Sequence, residues 1–245
     1  MSETGPISVS SAVEVWIARD SLLDAPGVGA RLAQLLAPEE LARRDRMAFE
    51  NGKRQQLLTR AMLREALSRS VPEVAPREWR FLRGPGGRPA LAPPFDSTGL
   101  DFNVAHSRGL VAAAIARAGR VGVDVETLGE RVPLHVASRY FAPREVAALQ
   151  ALPEAEQPRR FLRLWTLKEA YLKATGEGLA GGLDSVTFSL DAGDIGFESA
   201  AEPCAARWQF REFAAADHLL AVAHRGATAG APGAMQLREY SAGSG

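Results

Sequence analysis

Residues 161–179 read FLRLWTLKEAYLKATGEGL, and this stretch predicts an amphipathic helix closed by a glycine turn. Glu169 and Lys173 lie one turn apart at the edge of the apolar face, so their side chains can meet. Lys168 falls inside the apolar stripe, where an ammonium group must snorkel or find an anion. Gly176 and Gly178 then end the helix. At about 100° per residue, the apolar face carries Phe161, Leu164, Trp165 and Leu172.

The polar cluster on this helix has two readings. Glu169 and Lys173 form either a structural ion pair or part of a site, and the helix alone favours the ion pair. The rest of the chain must decide between them.

Composition bounds the class of protein. The chain has 245 residues, 46% apolar and 24% charged, which suits one large domain or two smaller ones. Lys plus Arg equals Asp plus Glu at 29 each, so a general nucleic-acid binder is disfavoured. The single cysteine, Cys204, excludes an intrachain disulfide framework and favours a reducing compartment. No apolar run of membrane-spanning length and no leader pattern is present, so we expect a soluble, cytoplasmic protein without membrane contacts.

The order of elements predicts an α/β fold. Strands are predicted at residues 13–17, 79–83, 100–104, 110–116, 121–126, 186–190, 195–198, 207–213 and 219–224, with His106 in a hairpin turn. Helices are predicted at residues 30–36, from Pro38 through the LARRDRMAFE segment, and at 53–70, 134–140 and 143–152. Neighbouring strand pairs preceded by helices occur twice, so we divide the chain into an N-terminal half, 1–117, and a C-terminal half, 118–225. Residues 1–11 are expected to be loose, and residues 226–245 form either a flexible tail or a last strand.

The strand at residues 121–126, VGVDVE, carries two acids on one face. Because side chains alternate, Asp124 and Glu126 point opposite to the valines. Two carboxylates on an apolar strand are comfortable only if they reach water or share a cation. A wet edge strand and a metal site therefore both remain open.

The chemistry of the candidate residues favours a hard cation. Among the motifs absent are a Cys or His cluster for zinc, a Walker loop, GxGxxG after a strand and a GxSxG nucleophile elbow. Three carboxylates favour Mg²⁺, which completes its shell with water and phosphate oxygens. The basic positions Lys53, Arg54, Arg60 and Arg64 would suit a polyanion, although a solvated helix face explains them as well.

Two segments in this order resemble the signature motifs of the 4′-phosphopantetheinyl transferases, namely VGVDVE and LWTLKEAYLKATGEGL. The chain is similar to the larger, surfactin-synthetase-activating type. FNVAHS at residues 102–107 and GGRPAL at 86–91 also correspond to family motifs, and the basic helix before Leu57 has a counterpart. The resemblance covers roughly residues 38–190. It implies two similar halves, each a small sheet with packed helices, that form a pseudo-dimer with the site between them.

The resemblance implies a role for each matching residue. Asp124, Glu126 and Glu169 match the magnesium-binding acids, and Lys173 matches the lysine near the leaving diphosphate. His106 and Arg88 match coenzyme A phosphate contacts, which we extend to the basic residues Arg43, Lys53 and Arg54.

The implied reaction transfers the 4′-phosphopantetheine arm of coenzyme A to a serine of an apo acyl or peptidyl carrier protein, leaving 3′,5′-adenosine bisphosphate. Glu169, or a water that it holds, is the candidate general base. Residues 132–152 are expected either to contact the carrier protein or simply to pack. We expect a monomer, and the sequence does not specify fatty-acid, polyketide or nonribosomal-peptide carriers. The rival hypotheses are a non-catalytic coenzyme A or carrier-binding module and an unrelated metal-dependent phosphotransferase.

Four positions depart from the family pattern. Ala105 stands where a hydroxyl residue is usual, and Arg88 replaces the commoner lysine, which keeps the charge but changes the geometry. Glu40 and Gln55 occupy positions expected to be basic. These departures concern how coenzyme A is held rather than the reaction.

Overall fold

Two β-sheets pack face to face in this protein, and each is covered on its outer side by one long helix. The computed structural model describes residues 13–129, 132–178, 182–191, 194–199, 205–226 and 233–242. The expectations for residues 1–11 and Cys204 lie outside these ranges. Within them, no helix is long and apolar enough to cross a membrane.

The N-terminal half is built on a four-stranded sheet of order β11-β1-β5-β4. Helix α3 packs on its outer face, and β2 and β3 form a separate hairpin. The elements are β1 (Val13–Arg19), α1 (Val28–Ala33), α2 (Pro38–Asp45), α3 (Glu50–Ser70), β2 (Phe81–Arg83), β3 (Pro89–Leu91), β4 (Leu100–Ser107), β5 (Leu110–Arg117) and, from the end of the chain, β11 (Met235–Glu239).

The C-terminal half is built on a three-stranded sheet of order β6-β10-β9. Helix α6 packs on its outer face, and β7 and β8 form a separate hairpin. The elements are β6 (Arg120–Thr127), α4 (Ala137–Tyr140), α5 (Pro143–Gln150), α6 (Gln157–Thr175), β7 (Val186–Asp191), β8 (Asp194–Ser199), β9 (Trp208–Ala215) and β10 (His218–Arg225).

The two halves repeat one arrangement. β1, β5 and β4 are neighbours in that order, with antiparallel pairing throughout, and β6, β10 and β9 have the same order and sense. In each half a long helix and a two-stranded hairpin lie between the first strand and the last two. The mixed α/β class that we predicted is confirmed. The boundary after residue 117 stays a prediction.

Three apolar clusters hold these layers together. One lies between α3 and the N-terminal sheet, and a second lies between α6 and the C-terminal sheet. The third lies between the sheets, because alternate side chains of both point inward. It includes Val13, Val15, Ile17, Ala112, Ala114, Val121, Val123, Val125, Leu220 and Val222.

Polar side chains of β4 join the halves at the edge where β4 meets β6. Asp101 Oδ2 accepts a hydrogen bond from Val121 N at 2.8 Å, and Asn103 Oδ1 accepts one from Val123 N at 3.0 Å. These side chains accept hydrogen bonds from backbone N–H groups of β6 that point away from the partner strand β10. They place the strand that carries Asp124 directly beside the N-terminal half.

The structure corrects several predicted details. His106 lies within β4, paired with Val111, rather than in a turn, because the ladder continues to Ser107. β2 begins at Phe81 instead of residue 79, because the chain before it forms a short helical turn at Pro76–Glu78 that ends at Trp79. Helix α2 ends at Asp45, and the chain turns before α3 starts at Glu50. For residues 226–245 we predicted either a flexible tail or a last strand. The strand is present as β11, which pairs with β1.

Candidate active site

The side chains of β6 alternate between its two faces as predicted, and this alternation determines which residues face α6. Val121, Val123 and Val125 point into the cluster between the sheets, so Asp124 and Glu126 point toward the helix. Gly122 on the same face allows close approach. A Cβ there would lie 2.0 Å from the Ala170 carbonyl oxygen.

Helix α6, which carries the second motif, ends where the sequence predicted. Gly176 adopts a left-handed conformation with φ of 82°, and its N–H donates to Leu172 O at 2.9 Å. Only glycine adopts this conformation without strain, so α6 ends directly after the turn that carries Lys173.

Lys173 and Asp124 join α6 to β6. Lys173 Nζ lies 2.6 Å from Asp124 Oδ1, and the other oxygen, Oδ2, is buried without a hydrogen-bond partner. Burial raises the pKa of Asp124 against the opposing effect of Lys173. A buried carboxylate with one unsatisfied oxygen has room for a further cationic partner.

Glu126 and Glu169 complete a group of three acids around Lys173. Burial, followed by the charge of Asp124, raises the pKa of Glu126 to about 7, while Trp165 donates a hydrogen bond to this carboxylate. Burial and Asp124 also raise the pKa of Glu169. The three carboxylates therefore repel one another in a partly desolvated space with one lysine among them.

This donor set fits Mg²⁺ in chemistry, although the side chains do not form a ready cage. Among the described residues, no three His, Cys, Asp or Glu side chains are arranged to hold a metal ion. The unsatisfied oxygen of Asp124 and the crowded acids are nevertheless features that a divalent cation would relieve. Few carboxylates together with substrate oxygens are the usual magnesium environment.

His106 lies on the side of the site that the N-terminal half forms. Its imidazole is exposed on β4 and lies near the carboxylates of both Asp124 and Asp20. Gln55 of α3 donates to Ser107 O at 2.8 Å, which fixes the start of α3 beside His106.

The three residues of α2 and α3 that were predicted to bind phosphate lie near the surface, and two of them pair with acids. Lys53 contacts Glu50 at 2.6 Å, and Arg54 contacts Asp24 at 2.6 Å. Arg43 is exposed on α2. Exposed pairs of this kind contribute little stability, so a phosphate can replace the acid at small cost.

Arg88 differs from the other basic residues because its side chain is only 8% exposed. Its guanidinium forms a two-pronged pair with Asp101, at 2.8 and 2.9 Å, and donates to three backbone carbonyls. These carbonyls belong to Lys173, Phe102 and Val121. The phosphate contact predicted for Arg88 stays a prediction.

Arginines of α2, α3 and the hairpin strand β2 come together in a grouping that the sequence did not predict. Arg60 stacks over Phe81 near the guanidinium groups of Arg64, Arg43 and Arg83, and its Nη1 is buried without a hydrogen-bond partner. Its basic neighbours on α3 were visible in the sequence, but the approach of α2 and β2 was not. Glu40 of α2 pairs with both Arg60, at 3.5 Å, and Arg64, at 2.7 Å, so the cluster already contains a carboxylate.

Lys168, which looked misplaced in an apolar stripe, is fully buried in an ion pair. Its Nζ lies 2.8 Å from Glu145 Oε2 and donates to the carbonyls of Leu183 and Val186. Glu145 also accepts from the backbone N–H groups of Ala142 and Phe188. The sequence indicated that Lys168 needs an anion or must snorkel, but it did not identify Glu145, which lies on a different helix, α5.

A pocket of about 200 Å³ opens beside the acids. Trp165 forms part of its wall and is half-buried, not fully buried as the apolar stripe suggested. The lining residues are Glu126, Thr127, Val132, Pro133, Phe161, Leu162 and Trp165. The site thus offers an apolar surface next to its carboxylates.

Comparison of the chain with known proteins identifies one family. Residues 120–223 match the family described as the 4′-phosphopantetheinyl transferase superfamily. Over 150 residues the chain is 39% identical to the 4′-phosphopantetheinyl transferase HetI of Nostoc sp., covering 61% of this chain and 63% of that one. That alignment spans less than two thirds of HetI.

Two further relatives carry similar names. A putative 4′-phosphopantetheinyl transferase of Synechocystis sp. is 36% identical over 174 residues, covering 71% of this chain and 68% of that protein. Sfp of Bacillus subtilis is 28% identical over 160 residues, covering 65% and 69%. The holo-[acyl-carrier-protein] synthase structure of Thermotoga maritima is matched with a TM-score of 0.38 at 23% identity, over 44% of this chain and 62% of that one.

The family predicted from the two motifs is thus confirmed, and the match to Sfp agrees with the larger type. The residues that carry the resemblance, on β6 and α6, lie inside the matched region and face one another in the fold. The chain belongs to the 4′-phosphopantetheinyl transferase superfamily.

Proposed function

We propose that this protein transfers the 4′-phosphopantetheine arm of coenzyme A to a serine of an apo acyl or peptidyl carrier protein. The observation that carries the proposal is the meeting of Asp124, Glu126 and Glu169 around Lys173, within the segment that matches the family. HetI and Sfp are named as 4′-phosphopantetheinyl transferases, which supports the same activity here.

Asp124, Glu126 and Glu169 are the residues proposed to hold Mg²⁺. When bound, the ion would offset the charge of the coenzyme A diphosphate and, as a Lewis acid, would polarise its phosphoryl oxygens. Two observations support this assignment. Burial and then the charge of Asp124 raise the pKa of Glu126, and Asp124 Oδ2 is buried without a hydrogen-bond partner, so a bound cation would stabilise both carboxylates.

The reaction requires one bond to form and one to break. The carrier serine oxygen attacks the phosphorus attached to pantetheine, and the P–O bond to 3′,5′-adenosine bisphosphate breaks. The serine proton passes to Glu169, or to a water that Glu169 holds. Lys173 stabilises or protonates the leaving group, which requires its Nζ to move from Asp124 to a phosphate oxygen.

Coenzyme A is proposed to lie across the junction of the two halves. His106 is assigned to its 3′-phosphate, and the further cations are Arg43 on α2 and Lys53 and Arg54 at the start of α3. Lys53 and Arg54 would exchange their exposed partners Glu50 and Asp24 for phosphate oxygens. The apolar pocket beside Glu126 would suit the methyl-bearing part of the arm.

The pseudo-dimer and the monomeric state belong to the same proposal. The repeated strand order supports two similar halves that supply both sides of the site within one chain. A cytoplasmic location, with no membrane or nucleic-acid partner, is consistent with the balanced charge.

The test incubates the protein with coenzyme A, magnesium and a panel of apo carrier proteins from fatty-acid, polyketide and nonribosomal-peptide systems. Release of 3′,5′-adenosine bisphosphate is followed by chromatography, alongside the mass of each carrier. Nucleotide release in step with carrier modification supports the proposal. Coenzyme A binding without either product would favour a non-catalytic binding module.

A further inference from the structure

We propose that Arg88 and Asp101 form a latch that positions Lys173, rather than a subsite for the coenzyme A phosphates. The inference rests on the proposed function, since it concerns how the leaving-group lysine is held. In this proposal Arg88 is a positioning residue. The rival hypothesis is the phosphate contact that the family resemblance implies for Arg88, and the test must distinguish the two.

The hydrogen bonds of Arg88 join the loop before β3 to three other elements. Asp101 lies on β4, Val121 on β6 and Lys173 on α6, while Arg88 itself directly precedes β3. The guanidinium thus reaches from the N-terminal half to both elements that carry the acids and the lysine. Its side chain is 8% exposed and that of Asp101 is 14% exposed, so the pair is largely withdrawn from solvent.

The contact with Lys173 acts at a helix end. The last carbonyls of α6 lack intrahelical partners, and Arg88 Nε donates to one of them, Lys173 O, at 2.8 Å. A cation is also favoured at a helix C-terminus. Because this carbonyl belongs to Lys173 itself, Arg88 fixes the backbone from which Nζ reaches Asp124.

The surrounding loop is fitted to the same helix end. A Cβ at Gly86 would lie 2.4 Å from Gly176 O, and a Cβ at Gly176 would lie 3.6 Å from Arg88 Cδ. Gly86 therefore permits its loop to pack against the final turn of α6. The last turn is held by both backbone packing and the guanidinium.

Asp101 completes the latch from the other side. One of its oxygens, Oδ2, accepts from Arg88 and also from Val121 N, both at 2.8 Å. It therefore orients the guanidinium and holds the start of β6 at once. A lysine at position 88 could not form the two-pronged pair while reaching three carbonyls, which gives the arginine at this position a structural reason.

Two single variants separate positioning from phosphate binding. Arg88→Lys keeps a cation but loses the planar fork. Asp101→Asn keeps the shape but removes the carboxylate charge that pairs with Arg88, so a phosphate contact by Arg88 would be strengthened rather than weakened. Transfer is measured at varied coenzyme A, with melting temperature and circular dichroism as checks of folding.

For a latch, both variants should lower kcat by about tenfold or more, because a displacement of about 1 Å at a catalytic group can reduce the rate about a hundredfold. The KM for coenzyme A should stay within about twofold of wild type. Wild-type kcat with a raised KM in Arg88→Lys, together with an unchanged or lower KM in Asp101→Asn, would overturn the latch and establish a phosphate contact. Wild-type values of both constants in both variants would also overturn it.

A double variant covers the case in which a single one fails to fold. Arg88→Met combined with Asp101→Asn removes both charges, so neither is left buried alone. The latch predicts a folded protein with reduced kcat, and full kcat in the folded double variant would contradict it. If the wild-type protein itself transfers no arm to any carrier, the proposed function fails instead, so the two failures are distinguishable.

Discussion

Lys173 Nζ lies 2.6 Å from Asp124 Oδ1, and this contact joins the last turn of α6 to the acid-bearing face of β6. It unites the two motifs, which are distant in sequence. The helix alone suggests only an ion pair between Glu169 and Lys173. With the contact to Asp124, the lysine stands among three carboxylates whose pKa values are raised by burial or by one another.

Replacing Lys173 tests its role at the leaving group. Lys173→Met should lower kcat by about 10²–10³-fold, because a preorganised cation at the developing charge is lost. Steady-state transfer to an apo carrier measures the effect. Lys173→Arg, which keeps the charge, should retain part of the activity, and equal rates in the Met variant and wild type would contradict the role.

Glu169→Gln should abolish transfer while the fold is kept. The amide can neither accept the serine proton nor provide a charged metal ligand, so a loss of about 10²-fold or more is expected. Single-turnover assays together with circular dichroism measure it. Turnover at the wild-type rate would remove Glu169 from both the metal and the base roles.

Removing Asp124 tests the metal assignment with a binding measurement. Asp124→Ala should lose activity and should no longer show the rise in melting temperature that magnesium plus coenzyme A gives the wild type. Chelation of the metal should stop transfer by the wild type reversibly. Retained activity of the variant at low magnesium would argue against Asp124 as a ligand.

Gly122→Ala tests the close packing of β6 against α6. The new Cβ would lie 2.0 Å from Ala170 O and 2.6 Å from Ala174 N, both backbone atoms that cannot move alone. We expect a loss of about 1–3 kcal/mol in the free energy of unfolding, measured by urea denaturation.

The matched control for Gly122→Ala is Gly29→Ala in α1, where a Cβ meets nothing within 4 Å. Alanine in a helix should stabilise the protein by up to about 1 kcal/mol. Equal effects of the two substitutions would contradict the packing account.

Lys168→Met tests the buried ion pair. It leaves the Glu145 carboxylate buried without its cation, so the free energy of unfolding should fall by about 3–5 kcal/mol. Combining it with Glu145→Gln should restore much of that loss, because the amide oxygen can still accept a backbone hydrogen bond. A single variant as stable as wild type would contradict the account.

The sequence predicted much of this arrangement for a physical reason. The period-two pattern of β6 and the glycine after α6 are local signals, so the acid face and the helix end were predictable. The position of His106 within β4 was not, since the length of a ladder depends on its partner strand. The partners of Lys168 and Arg88 come from other elements, and no local pattern encodes them.

The most direct test of the central claim is intact-mass spectrometry of apo carrier proteins incubated with this protein, coenzyme A and magnesium. The account predicts a mass gain of one phosphopantetheine arm on at least one carrier. It predicts no gain when the acceptor serine of that carrier is replaced by alanine, or when Glu169→Gln is used as enzyme. No gain on any carrier, with the protein shown to be folded, would contradict it.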